Sequence, residues 1–180
     1  AESGERSPDI VVPGDYANML EAVPGKVFFS MANRSGLYVI DAATKTVREW
    51  PVTGTLITPA YLDADHEGRF LFATYDRYVV AIDIARAAVV GRLATATGGR
   101  IAWDPQSRLL ITSEFADGPR LRLTAYQVDA HGFTEAARLE NPDDGLPGLE
   151  SLRSGGFLQS GRLSLLIWRP VASRSSAGLQ

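Results

Sequence analysis

The sequence lacks cysteine, has only two histidines, and carries only two lysines among its 18 basic residues. Without cysteine, disulfide bonds, thiolate metal sites and cysteine nucleophiles are excluded. No run of 18 apolar residues occurs, so no transmembrane helix is predicted. The net charge of -3 argues against binding to a phosphate backbone. What is present, 45% hydrophobic and 22% charged residues over 180 positions, is typical of one globular domain.

One segment type recurs along the chain, in which a turn residue and a basic residue open an apolar run. It occurs at residues 25–30, 68–73, 107–112 and 161–166. A second type is an apolar run that ends in aspartate, at Asp41, Asp83 and Asp129. Shorter apolar runs precede and follow these two, so each unit predicts four short strands separated by turns. Four strands in roughly 40–50 residues predict an all-β fold, a β-propeller of four-stranded antiparallel blades. A generic β-sandwich is the alternative, although it does not require strands that recur in register.

The number of blades is left open by the repeat. Three units are complete, and the fourth shows only a first strand at 151–152 and a second at 161–166. Residues 10–12 predict a leading strand that would complete the last sheet and close four sheets into a ring. The alternatives are part of a larger propeller, or a ring completed by another copy of the chain. We expect flexible ends at 1–9 and 171–180 around a propeller domain at 10–170.

The first unit also resembles a known repeat. Residues 30–47 place Asn33 in a turn, continue with Tyr38 to Ile40 and Asp41, and are followed by a closing Val52. This pattern is similar to the YVTN-type β-propeller repeat, over about residues 25–140. The resemblance implies a propeller fold and a periplasmic or secreted bacterial protein. Members of the family include binding proteins and relatives of lactonases and quinoprotein dehydrogenase subunits, but no catalytic motif carries over to this chain.

Two features could suggest a metal or catalytic site, and both are weak. Residues 63–68 alternate acidic side chains before a glycine, which is the spacing of a calcium loop, but Thr74 stands where a bidentate glutamate belongs. A polar hairpin turn is the favoured interpretation. His66 and His131 lie 65 residues apart in different turns, which favours surface positions. The sequence therefore predicts neither a metal nor a cofactor.

The arginines give the most suggestive pattern. Three of them fall between a second and a third strand, each 43 residues from the next: Arg34, Arg77 and Arg120. Arg100 lies in a connection between two units. In a propeller these connections share one face, so the four side chains could bind an anion through bidentate hydrogen bonds. Alternatively, nearby carboxylates neutralise them as ordinary surface pairs; the candidates are Asp76, Glu114 and Asp117.

Two classes of function follow from these observations. The first is a non-catalytic binding or scaffold module that recognises a protein, a peptide or a small anionic ligand through one loop face. The second is a propeller enzyme or enzyme subunit, either a lactonase-like hydrolase or a quinoprotein-type oxidoreductase. The first is favoured because no catalytic residue can be named, and self-association to complete a ring stays open.

Overall fold

The computed structural model describes residues 17–31, 34–53, 59–75, 77–95, 100–115, 121–141, 148–151, 157–160 and 165–168. Within these ranges every regular element is a strand, and no helix is found there. The fifteen described strands form four antiparallel sheets, each built from strands that are consecutive in the chain. The predicted all-β architecture of repeated units is therefore confirmed, and residues 10–12 lie outside the described ranges.

The first three sheets have four strands each, in sequence order. Sheet 1 consists of β1 (Ala17–Val23), β2 (Lys26–Met31), β3 (Arg34–Asp41) and β4 (Val47–Trp50). Sheet 2 consists of β5 (Tyr61–Ala64), β6 (Phe70–Tyr75), β7 (Tyr78–Asp83) and β8 (Ala88–Ala94). Sheet 3 consists of β9 (Arg100–Asp104), β10 (Leu109–Phe115), β11 (Leu121–Asp129) and β12 (Gly132–Asn141).

Sheet 4 differs from its prediction. It has three described strands, β13 (Gly148–Ser151), β14 (Phe157–Ser160) and β15 (Leu165–Trp168). The predicted second strand at 161–166 is wrong, because the second strand is β14 and Leu165 already belongs to the third. The sequence has two turn signals here, the glycine pair at 155–156 and Gly161. Gly161 is the one that matches the repeat, but the second strand, β14, follows the pair at 155–156.

The third strands of sheets 1 to 3 end as the repeat predicted. Asp41 Oδ1 accepts hydrogen bonds from the Ala43 and Thr44 amides at 3.0 and 2.9 Å. Asp83 Oδ1 accepts one from the Arg86 amide at 2.9 Å, and Asp129 Oδ1 accepts one from the His131 amide at 2.7 Å. A short acceptor at this position satisfies turn amides that no strand can pair, so the three aspartates do the same structural work.

The sheets pack face to face, with their first strands in series: β1 lies beside β5, β5 beside β9, and β9 beside β13. This arrangement makes the first strand of each unit the innermost one. Between sheets 1 and 2 the buried core consists mainly of Phe28, Leu37, Val39, Trp50, Leu71, Val80 and Ile82. Between sheets 2 and 3 it consists mainly of Phe70, Phe72, Val79, Ile101, Trp103 and Leu110. The Phe28 and Trp50 rings of sheet 1 lie 4.5 Å apart between centroids in the first core, and the Phe72 and Trp103 rings, 5.4 Å apart, join sheets 2 and 3 in the second.

Sheets 2 and 3 also meet near their outer strands, where two glycines allow a close approach. A methyl group on Gly91 of β8 would lie 2.7 Å from the Cα of Gly132, at the start of β12, and 3.2 Å from the ring of Phe133. The pairing of β7 with β8 shifts register beside this position. The absence of a side chain at Gly91 therefore sets how closely the two blades pack.

Candidate functional site

The ends of the sheets form two rims of different chemistry. The second-to-third connections and the starts of the first strands lie at one end, because Tyr75 pairs with Tyr78 and Ser113 pairs with Arg100. We call this end the arginine rim, formed by Tyr61, Arg77, Tyr78 and Arg100. The opposite end carries the other two turns of each unit, and we call it the aspartate rim, formed by the turns at 65–69, 83–88, 104–109 and 129–132.

The predicted arginines are placed on the arginine rim as far as they are described. Arg77 directly precedes β7 and is exposed. Arg34 and Arg100 were predicted to lie in connections between strands. They are instead the first residues of β3 and β9. Arg34 pairs with Met31 at the same end of its sheet. Arg120 lies outside the described residues, so the proximity of all four side chains stays a prediction.

Aromatic side chains accompany the arginines on this rim. The guanidinium carbon of Arg100 lies 4.6 Å from the centre of the Tyr61 ring, in a cation–π contact between neighbouring first strands. Tyr78 is 51% exposed and is the one exposed large hydrophobic side chain among the residues described. Arg77 lies next to it in the sequence. Exposed tyrosine and arginine side chains are the types that dominate binding energy at protein interfaces.

The expected neutralising carboxylates are only partly seen. Glu114 is buried and pairs with Arg122 of its own sheet, with 3.4 Å between the Glu114 and Arg122 side-chain atoms. Asp76 and Asp117 lie outside the described residues. Within the described ranges, Arg77 and Arg100 form no ion pair. Neutralisation of the rim by Asp76 or Asp117 therefore stays a prediction.

On the aspartate rim, the acidic segment at 63–68 forms the predicted hairpin turn. Asp65 Oδ1 accepts hydrogen bonds from the Arg69 and Phe70 amides at 2.7 and 3.0 Å. Its counterpart in sheet 3, Asp104, accepts one from the Ser107 amide at 3.1 Å. Burial raises the pKa of Asp65. The Asp65 and Asp104 carboxylates therefore stabilise hairpin turns by accepting hydrogen bonds from backbone amides. The turn at 63–68 combines such acidic residues with a glycine, and this explains why its spacing resembles that of a calcium loop.

Asp63 has a different role, which sequence reasoning missed. Its side chain is 6% exposed and joins two innermost strands. Asp63 Oδ2 accepts a hydrogen bond from the Trp103 amide at 2.6 Å, and Oδ1 accepts one from the Ala64 amide at 2.8 Å. Burial raises the pKa of Asp63 to about 6. The carboxylate thus links β5 to β9, which lie side by side in different sheets.

Glu21 occupies the equivalent place on β1. It pairs with Phe28, and Asp63 pairs with Phe72; each of these phenylalanines packs against the following sheet. Burial, with the nearby Asp63 charge as the second cause, raises the pKa of Glu21 to about 7. An acidic residue inside an otherwise apolar first strand was the available sequence signal. It was overlooked because no motif marks it.

The two histidines lie where the sequence placed them. Both are exposed, His66 in the turn after β5 and His131 in the turn after β11. The described residues also contain no helix that is long and apolar enough to cross a bilayer.

Comparison with known proteins establishes the fold and no more. No family model and no curated protein matches the sequence. A chain in the crystal structure of the mitotic checkpoint complex matches with a TM-score of 0.61 and 18% identity, covering 89% of this chain and 50% of that one. A chain of a nidogen/laminin complex matches with a TM-score of 0.58 and 15% identity, covering 83% and 58%. The WD40 β-propeller domain of Doa1 matches with a TM-score of 0.57 and 9% identity, covering 84% and 49%.

These neighbours and the repeated sheets together show that the chain has a β-propeller fold. The chain spans about half the length of the solved structures it resembles. Its repeats are accordingly propeller repeats, as the sequence predicted.

Proposed function

We propose that this chain is a non-catalytic binding module that holds an acidic segment of a protein partner against the arginine rim. The carrying observation is the stacking of Arg100 on Tyr61 at the end of the sheets that also carries exposed Arg77 and Tyr78. An arginine held against an aromatic ring loses less side-chain freedom on binding than a free one, and its outward face still donates hydrogen bonds. Tyr78 adds apolar contact area next to these charges.

Two finer points belong to the same proposal. We infer that the repeats are of the YVTN type, supported by the sequence pattern of residues 30–47, and that the protein works in the periplasm or outside the cell. A small anion is the alternative occupant of the rim, because a carboxylate on a peptide and a free carboxylate would be recognised by the same guanidinium groups.

The test uses a fluorescently labelled octapeptide of glutamate as the probe, with anisotropy as the measurement. We expect saturable binding that weakens with added salt, because exposed charges are screened. The double variant Arg77→Gln, Arg100→Gln should weaken binding by about tenfold or more, the effect of losing one or two charge-assisted hydrogen bonds. Arg48→Gln is the control for each of the two replacements, because Arg48 is exposed on β4 and its replacement removes one positive charge elsewhere.

The outcomes separate the alternatives. Absence of binding, or equal loss in the Arg48 control, contradicts the proposal. If free citrate displaces the peptide with a comparable affinity, the rim is a small-anion site instead of a peptide site.

A further inference from the structure

A cavity, separate from the arginine rim, opens on the aspartate rim between sheets 2 and 3. Its volume is about 360 Å³, which lies in the range of small-molecule sites. The walls come from the turns that follow β5 and β9 and from the end of β11. Phe70 and Trp103 line the cavity and are almost fully buried, so they give it an aromatic floor.

One side of the cavity is closed by an ion pair between the two sheets. Arg108 donates to both carboxylate oxygens of Glu67. Arg108 has a φ of +57°, a conformation in which glycine is the usual residue. The turn thus holds a non-glycine residue in the left-handed region, and that residue's side chain makes the bridge. The charges of Arg108 and Glu67 therefore neutralise each other.

Two further charges of opposite sign line the cavity and form no ion pair with any described residue. Arg69 is exposed, with its guanidinium carbon 5.1 Å from the centre of the Phe70 ring. Burial raises the pKa of the neighbouring Asp65, and the Arg69 charge acts on the same carboxyl by lowering its pKa to a smaller extent. Asp129 is exposed, and its Oδ1 accepts only the His131 amide while its second oxygen has no hydrogen bond within the described structure. Asp65 also accepts hydrogen bonds from turn amides through Oδ1, but it is almost fully buried and therefore less accessible to a ligand than Asp129. The cavity therefore presents one guanidinium and one carboxylate above an aromatic floor.

We propose that this cavity binds a small zwitterion, an α-amino acid with an apolar side chain. Its carboxylate would accept hydrogen bonds from Arg69, its ammonium would donate to Asp129, and its side chain would rest on Phe70 and Trp103. A ligand with both charges satisfies both protein groups, whereas one with a single charge leaves the other group desolvated and unpaired. An apolar side chain gains free energy by covering the apolar surface of Phe70 and Trp103, which a polar side chain would cover less well.

The test compares three ligands that share one aromatic body. L-Phenylalanine carries both charges, phenethylamine lacks the carboxylate, and 3-phenylpropionate lacks the ammonium. Isothermal titration calorimetry on the intact chain should show L-phenylalanine binding at least about tenfold more tightly than either analogue, the effect of one charge-assisted hydrogen bond. Arg69→Gln should weaken L-phenylalanine and 3-phenylpropionate, and Asp129→Asn should weaken L-phenylalanine and phenethylamine.

Asp129→Asn keeps an oxygen for the His131 amide, so the turn and the melting temperature should be preserved. Asp83→Asn is the matched control, because Asp83 caps the equivalent turn of sheet 2 and does not line the cavity. Equal affinity for the three ligands, no saturable binding up to about 10 mM, or the same loss in the Asp83 control would overturn the proposal. Glutamate-peptide binding should be unchanged in the Arg69 and Asp129 variants, so this site and the arginine rim succeed or fail independently.

Discussion

Replacing Glu21 by glutamine should stabilise the protein, and only at neutral to alkaline pH. The folded structure raises the pKa of Glu21 from 4.5 to about 7, chiefly by burial. Between these two values the folded chain holds a proton that the unfolded chain releases, so the free energy of unfolding falls as the pH rises through this window. Above the window, Glu21 is ionised in both states and its full burial penalty opposes folding.

The size of this penalty follows from the shift. At about 1.4 kcal/mol per pKa unit the full effect is about 3 kcal/mol. Glu21 is partly exposed, and solvent screening reduces the effect to about 1–2 kcal/mol. Glu21→Gln should therefore gain about 1–2 kcal/mol near pH 8 and only a few tenths near pH 5, where little of the penalty remains.

The assay is urea unfolding of dilute protein followed by fluorescence of the buried Trp50 and Trp103. Glu49→Gln is the matched control, because Glu49 is exposed on β4 and undergoes the same change of charge. The control should stay within about 0.5 kcal/mol of the wild type at both pH values, as surface substitutions do. A gain from Glu21→Gln that is the same at pH 5 and pH 8, or no gain at all, would refute the electrostatic reasoning.

Two further substitutions test the contacts between blades. Gly91→Ala should cost about 1–3 kcal/mol in urea unfolding, because its methyl group meets the Gly132 backbone and the blades must separate; wild-type stability would show that the approach is not tight. Asp63→Ala should cost about 1–3 kcal/mol near pH 7, since two buried amides lose their acceptor while one buried charge is relieved. If Asp63→Ala leaves the free energy of unfolding unchanged, the hydrogen bond between β5 and β9 does not contribute to stability.

The repeat in the sequence was enough to predict the architecture, because local signals and sheet geometry agree. Gly25, with a φ of +76° after a proline, makes the tight turn between β1 and β2 that the Pro-Gly pair indicates. Asp41 and its two counterparts cap turns through bonds to residues two or three positions away. Features that depend on neighbours a few residues distant are readable from a sequence.

Contacts between blades were not readable in this way. The hydrogen bond from the Trp103 amide to Asp63 joins residues 40 positions apart, and neither local sequence contains a signal that predicts it. The cavity lined by Arg69 and Asp129 likewise exists only because two sheets are stacked. The fourth sheet was mispredicted for a related reason, since its strands are only four residues long and leave several turn signals of similar strength.

Sheet 2 lies between two cores, and this restricts which residues its central strands can accept. Five consecutive residues of β6, Phe70–Thr74, and four of β7, Val79–Ile82, are buried, and the neighbouring apolar side chains face opposite sheets. A strand covered on both faces has no position where a charged residue can reach water, so mutational tolerance there is limited to apolar residues of similar size. Within sheet 2, polar substitutions are therefore restricted to the outer strand β8, which is only half-buried, and to the rims. A new partner can accordingly be bound through changes in a few rim residues while the central strands stay apolar.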